Sequence, residues 1–465
     1  MARKLETDLC GKISAQQVIS KKTYYPETSV DGHMKGLKMK RMLIILVRRY
    51  PYDFGEPFLE SEISKHIQYY DKILVLSQDV STSSKQTRIP PKGIDFAITA
   101  TGNRNTLRMK DICNIPRFML KPNDAIKTEL DERKLNIFQK IFLSYFEARC
   151  QRLYKEAKDI LKEVDFNQYD QITLYSYWLF ANANVGLYIK DYLINERSYT
   201  GKITLISRAH RYDIYEEANK VKYLPFRTRL LNGMDWVFPC SSDGTKYLCE
   251  KYRNVKTNIT TAYLGSRDYG QNNVIDADGV FHIISCSRVV KIKRLELLID
   301  ELSLLHPTQP VKWTHIGGGI NGKTKYFDHI RRYAEQKLHN IQYEFIGPLS
   351  NIEVYEYYKN NAVDVFINCS YSEGLPVSLM EASGFGIPII ATDVGGSREI
   401  IDKDTNGFLL DRDFPKGTLA EKINKLLSFS IDERNAMRTA ARKLWEERFD
   451  SEKNYTEFAE KLSQL

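Results

Sequence analysis

Val363-Asp-Val-Phe-Ile-Asn368-Cys-Ser-Tyr-Ser-Glu373-Gly374-Leu375-Pro376-Val-Ser-Leu-Met-Glu381-Ala-Ser-Gly384-Phe-Gly386-Ile-Pro388 is the stretch on which the fold is decided. The run Val363–Asn368 is short and nearly all apolar, as expected of a parallel strand buried on both faces. Pro376 suits the first position of a helix, and Gly384 to Pro388 ends it. The stretch is therefore one strand–turn–helix unit, with Glu373 and Gly374 in the turn, ahead of the helix.

The same unit recurs in both directions along the chain. Towards the C-terminus a strand is expected at Ile387–Thr392. Towards the N-terminus strands are expected at Ile341–Ile346, Lys312–Ile316 and Phe281–Cys286, each followed by a helix. The alternation breaks at the turn-rich segment 265–279 and resumes before it with strands at Met42–Val47, Lys72–Ser77, Asp95–Thr99, Gln171–Tyr175, Lys202–Ile206 and Trp236–Cys240. Within that half, Lys134–Val164 has the apolar period of a long helix or helical pair, inserted between strands. The chain closes with helices expected at Gly417–Leu427, Ile431–Phe449 and Ser451–Ser463. The length of 465 residues exceeds what one core usually serves. The expected organisation is thus an N-terminal α/β domain (40–264) with a helical insertion, a linker (265–279), a second α/β domain (280–448) and a helix (449–465) that crosses back.

Composition narrows the class. Apolar residues make up 42% and charged residues 27%, as in a globular protein in water. The apolar run Met42–Val47 falls far short of the ~20 residues of a membrane span. The net charge of +9 is concentrated at residues 1–49, which carry eleven Lys/Arg and four acids, so it is poor support for a nucleic-acid partner. A second basic stretch, 104–162, holds fourteen cations and eight acids and is a candidate for contact with an anionic membrane. The seven cysteines are scattered, with no CxxC pair, which fits reduced thiols in the cytoplasm and no structural metal. Residues 1–39 lack an apolar period, contain Gly32-His33-Met34 and are expected to be a tag or disordered extension.

In open α/β sheets ligands bind beyond the carboxyl ends of the strands, so the residues just after each strand carry the chemistry. Glu373 and Gly374 precede a helix N-terminus, where free amides favour an anion and glycine admits a phosphate. Glu381, within that helix, is placed to accept hydrogen bonds from the adjacent hydroxyls of a ribose. After Phe281–Cys286 come Arg288, Lys293 and Arg294, cations able to clamp a diphosphate. Gly317-Gly-Gly319 offers a close backbone approach, and Gly347-Pro348-Leu349 offers main-chain groups to a base.

Together Ser287-Arg288…Lys293, His315-Ile-Gly317-Gly-Gly319, Phe345-Ile-Gly347, Ser372-Glu373-Gly374…Glu381 and Ala391-Thr-Asp-Val-Gly395-Gly396…Glu399 closely resemble the family 4 retaining glycosyltransferases of GT-B fold, with their E-x7-E motif. The resemblance covers about Phe281–Leu410. It implies two Rossmann-like domains facing across a cleft and a nucleotide-sugar donor held mainly by the second. It further implies that Arg288 and Lys293 bind the diphosphate, Glu381 the ribose and Glu373 the donor sugar. Gly317, Gly347, Leu349, Gly374 and Leu375 would line the donor pocket. The first domain matches more loosely. Tyr50-Pro-Tyr-Asp-Phe-Gly55-Glu56-Pro57-Phe58 has one glycine where such enzymes usually carry two. His210, after Lys202–Ile206, resembles the family's first-domain histidine, expected against the donor sugar.

The resulting expectation is a metal- and cofactor-independent retaining hexosyltransferase. Its donor is a UDP-sugar in preference to a GDP-sugar, and its acceptor a saccharide or lipid-linked saccharide at the inner membrane face, as in polysaccharide assembly. Three other readings stay open. One is a metal-dependent transferase using Asp276-Ala-Asp278 or Asp411-Arg-Asp413, another an epimerase or phosphorylase on the same fold, and the last a non-catalytic nucleotide-binding scaffold.

Overall fold

The computed structural model describes residues 39–53, 55–98, 102–271, 279–319 and 325–465. Two wholly parallel sheets carry it. The first has seven strands: β1 Arg41–Val47, β2 Lys72–Ser77, β3 Ile94–Ile98, β4 Gln171–Ser176, β5 Lys202–Ala209, β6 Trp236–Pro239 and β7 Asn258–Ile259, in the spatial order β3-β2-β1-β4-β5-β6-β7. The second has six: β8 Phe281–Cys286, β9 Val311–Ile316, β10 Gln342–Gly347, β11 Val365–Asn368, β12 Ile389–Thr392 and β13 Gly407–Leu410, in the order β10-β9-β8-β11-β12-β13. In each sheet the order reverses beside the first strand, between β1 and β4 and between β8 and β11. That is where a doubly wound sheet opens a ligand crevice.

The central strands are mostly apolar and buried because helices cover both faces; six of the seven residues of β1 are buried. Edge strands β7 and β13 escape the sequence pattern. The first is only two residues long, and the second, Gly407-Phe-Leu-Leu410, follows the single-turn helix Ser397–Ile400 and the turn Asp402–Asn406. The helix expected over Lys134–Val164 is Ile137–Leu161, started by Asn136 and Gln139 in a reciprocal cap. Pro376 stands one place earlier than expected. With ψ at 109° it is the residue before the helix, which runs Val377–Gly384.

The part of the 265–279 segment that is described is fastened down instead of loose. Ser266 exchanges backbone hydrogen bonds with Phe449 and Ser451, and its hydroxyl accepts from Trp445 Nε1 at 2.7 Å. Asp276-Ala-Asp278 and residues 1–38 lie outside the described residues. The terminal helix Ser451–Gln464 places Phe458 and Leu462 in the same apolar cluster as Leu43 and Ile45 of β1. Its Phe458 ring lies 3.9 Å from the guanidinium of Arg208, which is buried and bound to Glu62 at 2.9 Å. A buried cation of β5 thus takes both a carboxylate and the C-terminal helix as its partners. Among the described residues no helix is long and apolar enough to cross a membrane.

Candidate functional site

The crevice between β8 and β11 gathers most of the residues singled out by the sequence. β11 ends at Asn368 and its helix begins at Val377, so Glu373 lies on the connecting turn. Lys293, on the 3-10 turn Lys291–Lys293 after β8, reaches across and places Nζ 2.5 Å from Glu373 Oε1. Asn368 Nδ2 donates to the same oxygen at 3.3 Å. Lys293 and Asn368 also line a small pocket with Ser285, Cys286, Ser287 and Cys369. The turns are laced together, since Tyr371 N–H donates to Ile292 C=O at 2.8 Å. Arg288, from the same β8 turn, is exposed and makes no ion pair among the described residues. It is free to meet a phosphate.

Gly317 has φ of +141°, and a Cβ there would lie 1.8 Å from Ser287 O, so only glycine fits. Its N–H donates to Gly347 C=O at 2.8 Å, which brings the β8, β9 and β10 turns to one rim. Gly347 borders open space. Leu349 and Leu375 turn their side chains into the apolar cluster of the domain, so what they offer a ligand is main chain.

Glu381 is buried on its helix, where its Oε1 accepts from Tyr355 OH at 3.0 Å. Burial raises its pKa from the ordinary 4.5 to about 7, against the opposing hydrogen bond from Tyr355. Tyr355 stacks on Tyr269 with ring centroids 4.5 Å apart. Tyr355 was not foreseen. It sits on the helix Asn351–Asn360, and only the tertiary packing brings it to Glu381.

The first domain meets this rim directly. Arg211 donates to Ser372 Oγ from Nε at 3.1 Å and Nη2 at 2.8 Å. A Cβ on Gly374 would fall 2.8 Å from Arg211 Cβ, so this glycine lets the domains close. Glu399 spans the same boundary and accepts from the N–H groups of Ser242 and Asp243 at 2.7 and 3.1 Å, at a helix N-terminus. His210, at the carboxyl end of β5 and next to Arg211, has its ring 4.5 Å from that of Trp178 and 5.0 Å from that of Tyr177. Among the described residues neither ring nitrogen has a hydrogen-bond partner. Burial, and then the charge of Arg208, push its pKa down to about 3, so the imidazole is neutral across the physiological range.

Gly55 is the one singled-out residue that the structure leaves apart. It packs under Arg49, whose Cβ lies 2.4 Å from where a Cβ would stand. The amides that follow β1 are already taken. Glu56, with φ of +38°, accepts from Arg48 N and Trp178 Nε1 on Oε1, both at 2.9 Å, and from Arg49 N and Tyr50 N on Oε2 at 3.1 and 2.8 Å. In the first domain a carboxylate of the chain itself fills the anion site. Spacing gave no sign of this, because Glu56 follows a glycine and reads as a turn residue.

Asp411-Arg-Asp413 lies in an exposed turn, where Asp413 pairs with Arg412 and Arg294. Among the described residues no group of three His, Cys, Asp or Glu is arranged to hold a metal ion.

Residues 272–444 match the family model described as Glycosyl transferases group 1. The chain is 26% identical over 222 residues to the GtfA subunit of a UDP-N-acetylglucosamine–peptide N-acetylglucosaminyltransferase of Streptococcus agalactiae, covering 46% of this chain and 42% of that protein. It is 32% identical over 155 residues to spore coat protein SA of Bacillus subtilis, covering 32% and 40%, respectively. It is also 32% identical over 127 residues to an O-antigen biosynthesis glycosyltransferase of Escherichia coli, covering 26% and 35%. The chain therefore spans less than half of these relatives' length. Its fold matches the Anabaena protein HepE solved with UDP, at TM-score 0.59 and 17% identity over 92% of this chain and all of that one. It matches sucrose-phosphate synthase of Thermosynechococcus elongatus at 0.63 and 14% over 91% and 98%. The architecture is GT-B.

Proposed function

We propose that this chain, of GT-B fold and carrying the group 1 glycosyltransferase sequence in its second domain, transfers a sugar from a nucleoside-diphosphate sugar to a saccharide or lipid-linked acceptor. The observation that carries the proposal is the meeting of Lys293 and Glu373 at 2.5 Å at the switch point of the second sheet, beside the uncommitted Arg288. The relatives' printed names, which include a UDP-N-acetylglucosamine enzyme and an O-antigen enzyme, support a UDP-sugar donor and a role in surface polysaccharide or glycoconjugate assembly.

In this reading Arg288 and Lys293 bind the diphosphate and neutralise the charge that grows on it as it departs. Gly317, Gly347, Gly374 and the main chain of Leu349 and Leu375 line the donor pocket. Glu381 accepts from the ribose hydroxyls, and Glu373, held by Lys293 and Asn368, steadies the sugar. Neutral His210 offers its unpaired ring nitrogens to a sugar hydroxyl. The bond from the anomeric carbon to the phosphate oxygen breaks, and one to the acceptor oxygen forms on the same face. The acceptor's proton passes to the leaving phosphate, so configuration is retained and no metal is required.

The test is a hydrolysis and thermal-shift panel of UDP-, GDP- and ADP-sugars, with and without EDTA. A UDP-sugar should stabilise the protein and be slowly hydrolysed in either condition. Failure of every nucleotide sugar would overturn the proposal. Release of an epimerised nucleotide sugar without acceptor would favour an epimerase instead.

A further inference from the structure

Asp213 is a buried carboxylate that the transfer reaction, as proposed, leaves unused. It lies on the short helix Arg211–Ile214, just after His210. The ladder between β4 and β5 ends at the pair Ser176 and Ser207. Leu179 and His210 stand beyond that pair, equally far along their two chains. There Asp213 takes over from the ladder. Its Oδ1 accepts from the N–H of His210 at 2.5 Å, and its Oδ2 from the N–H of Leu179 at 2.7 Å.

Leu179 is held from its other side as well, since its C=O accepts from Arg227 Nη1 at 2.9 Å. Arg227 is also buried, at the start of the helix Arg227–Gly233. Its Nε and Nη2 find no hydrogen-bond partner among the described residues, so the guanidinium meets Leu179 and not the carboxylate. Taking both charges out of water is costly, and apolar side chains of similar volume would serve a plain core as well or better. What the charges give is a fixed geometry at the edge of the sheet. Trp178 immediately precedes Leu179, and its ring lies 4.5 Å from that of His210. Glu56 accepts from the same indole Nε1 at 2.9 Å. The main chain beneath both rings is thus fastened by Asp213, and the outer edge of one ring by Glu56.

We infer that Asp213, supported by Arg227, is a positioning residue for the transfer reaction. Its carboxylate ties the turns after β4 and β5 together, which holds His210 against Trp178 beside the donor sugar. The inference rests on the role proposed above for His210.

The experiment is a double-mutant cycle of Asp213→Asn and His210→Phe. It is read as kcat and KM for hydrolysis of whichever UDP-, GDP- or ADP-sugar the parent hydrolyses fastest, with calorimetric affinity for the free nucleotide alongside. Asp213→Asn keeps the shape but sets an amide NH2 against one of the two N–H donors. It should lower kcat about five- to tenfold, the scale of one lost hydrogen bond, with KM and nucleotide affinity within about threefold of the parent. Because Asp213 acts through His210, the double variant should be no slower than the slower single variant, whereas independent losses would multiply. Arg227→Lys keeps the buried charge without the guanidinium fork, and it should show a smaller loss with the same non-additivity; it carries the test if Asp213→Asn does not fold. Multiplying losses, parental kcat in both Asp213→Asn and Arg227→Lys, or a matching fall in nucleotide affinity would overturn the inference while the transfer reading stands. A parent that hydrolyses none of the nucleotide sugars would overturn that reading, and the inference with it.

Discussion

At the carboxyl edge of the first sheet, the three amides that follow β1 all donate to Glu56, whose carboxylate also holds Trp178. At the matching edge of the second sheet, the turn after β8 leaves Arg288 exposed and sets Lys293 against Glu373. Both sheets reverse their order beside the first strand, yet the amides after β1 are taken by the chain's own Glu56 while Arg288 after β8 stays exposed. A duplicated fold thus divides its labour through side chains. In the proposed function the second domain takes the phosphates, and the first holds Trp178 on His210 beside the sugar.

Breaking the second site should have the largest effect. Arg288→Ala, Lys293→Ala and Glu373→Gln should each lower turnover about 10²-fold or more, the scale of a lost preorganised charge contact. Steady-state kinetics near parental values in all three would remove the assignment. Glu56→Gln puts an amide NH2 against backbone donors, and hydrogen bonds to a charge contribute about 1.5–3 kcal/mol. It should lower kcat about tenfold or more and shift the tryptophan fluorescence, while leaving affinity for free UDP intact. A fall in UDP affinity would merge the two sites that the comparison separates. His210→Phe keeps the stacked ring and should cost up to about tenfold in kcat, one neutral hydrogen bond's worth. Because His210 is neutral, a pH profile that loses an inflection near 6.5 in this variant would contradict its role.

The smallest effect concerns Glu381. Its raised pKa means that folding is favoured most while it is protonated, below about 4.5, and that this contribution is lost as the pH rises through about 7. Glu381→Gln should therefore melt about 2–4 °C above the parent near pH 8 and level with it near pH 4. Donor affinity of the parent should rise as the pH passes about 7, since the carboxylate accepts from the ribose and the acid does so poorly. Thermal melts and donor titrations across pH decide both.

The parallel, two-sheet architecture was legible because strands covered on both faces are mostly apolar, as in Met42–Val47 of β1. The placement of Lys293 and Glu373 at neighbouring strand ends was legible because each follows an apolar strand-like run directly. What escaped were the partners brought in by tertiary packing. Tyr355 reaches Glu381 from a helix 26 positions away, and Arg211 reaches Ser372 over 161. Glu56 escaped because an anion site filled by the chain has the same local sequence as one left open. Pro376 moved by one place because its extended ψ ends the turn and does not begin the helix.

The most direct measurement is calorimetric titration of UDP into the parent, the Arg288→Ala/Lys293→Ala pair and Glu56→Gln. The division of labour predicts that the pair loses about 10²-fold or more in affinity, since both charged contacts go, while Glu56→Gln stays within about threefold of the parent. Undiminished binding by the pair, or an equal loss in Glu56→Gln, would contradict it.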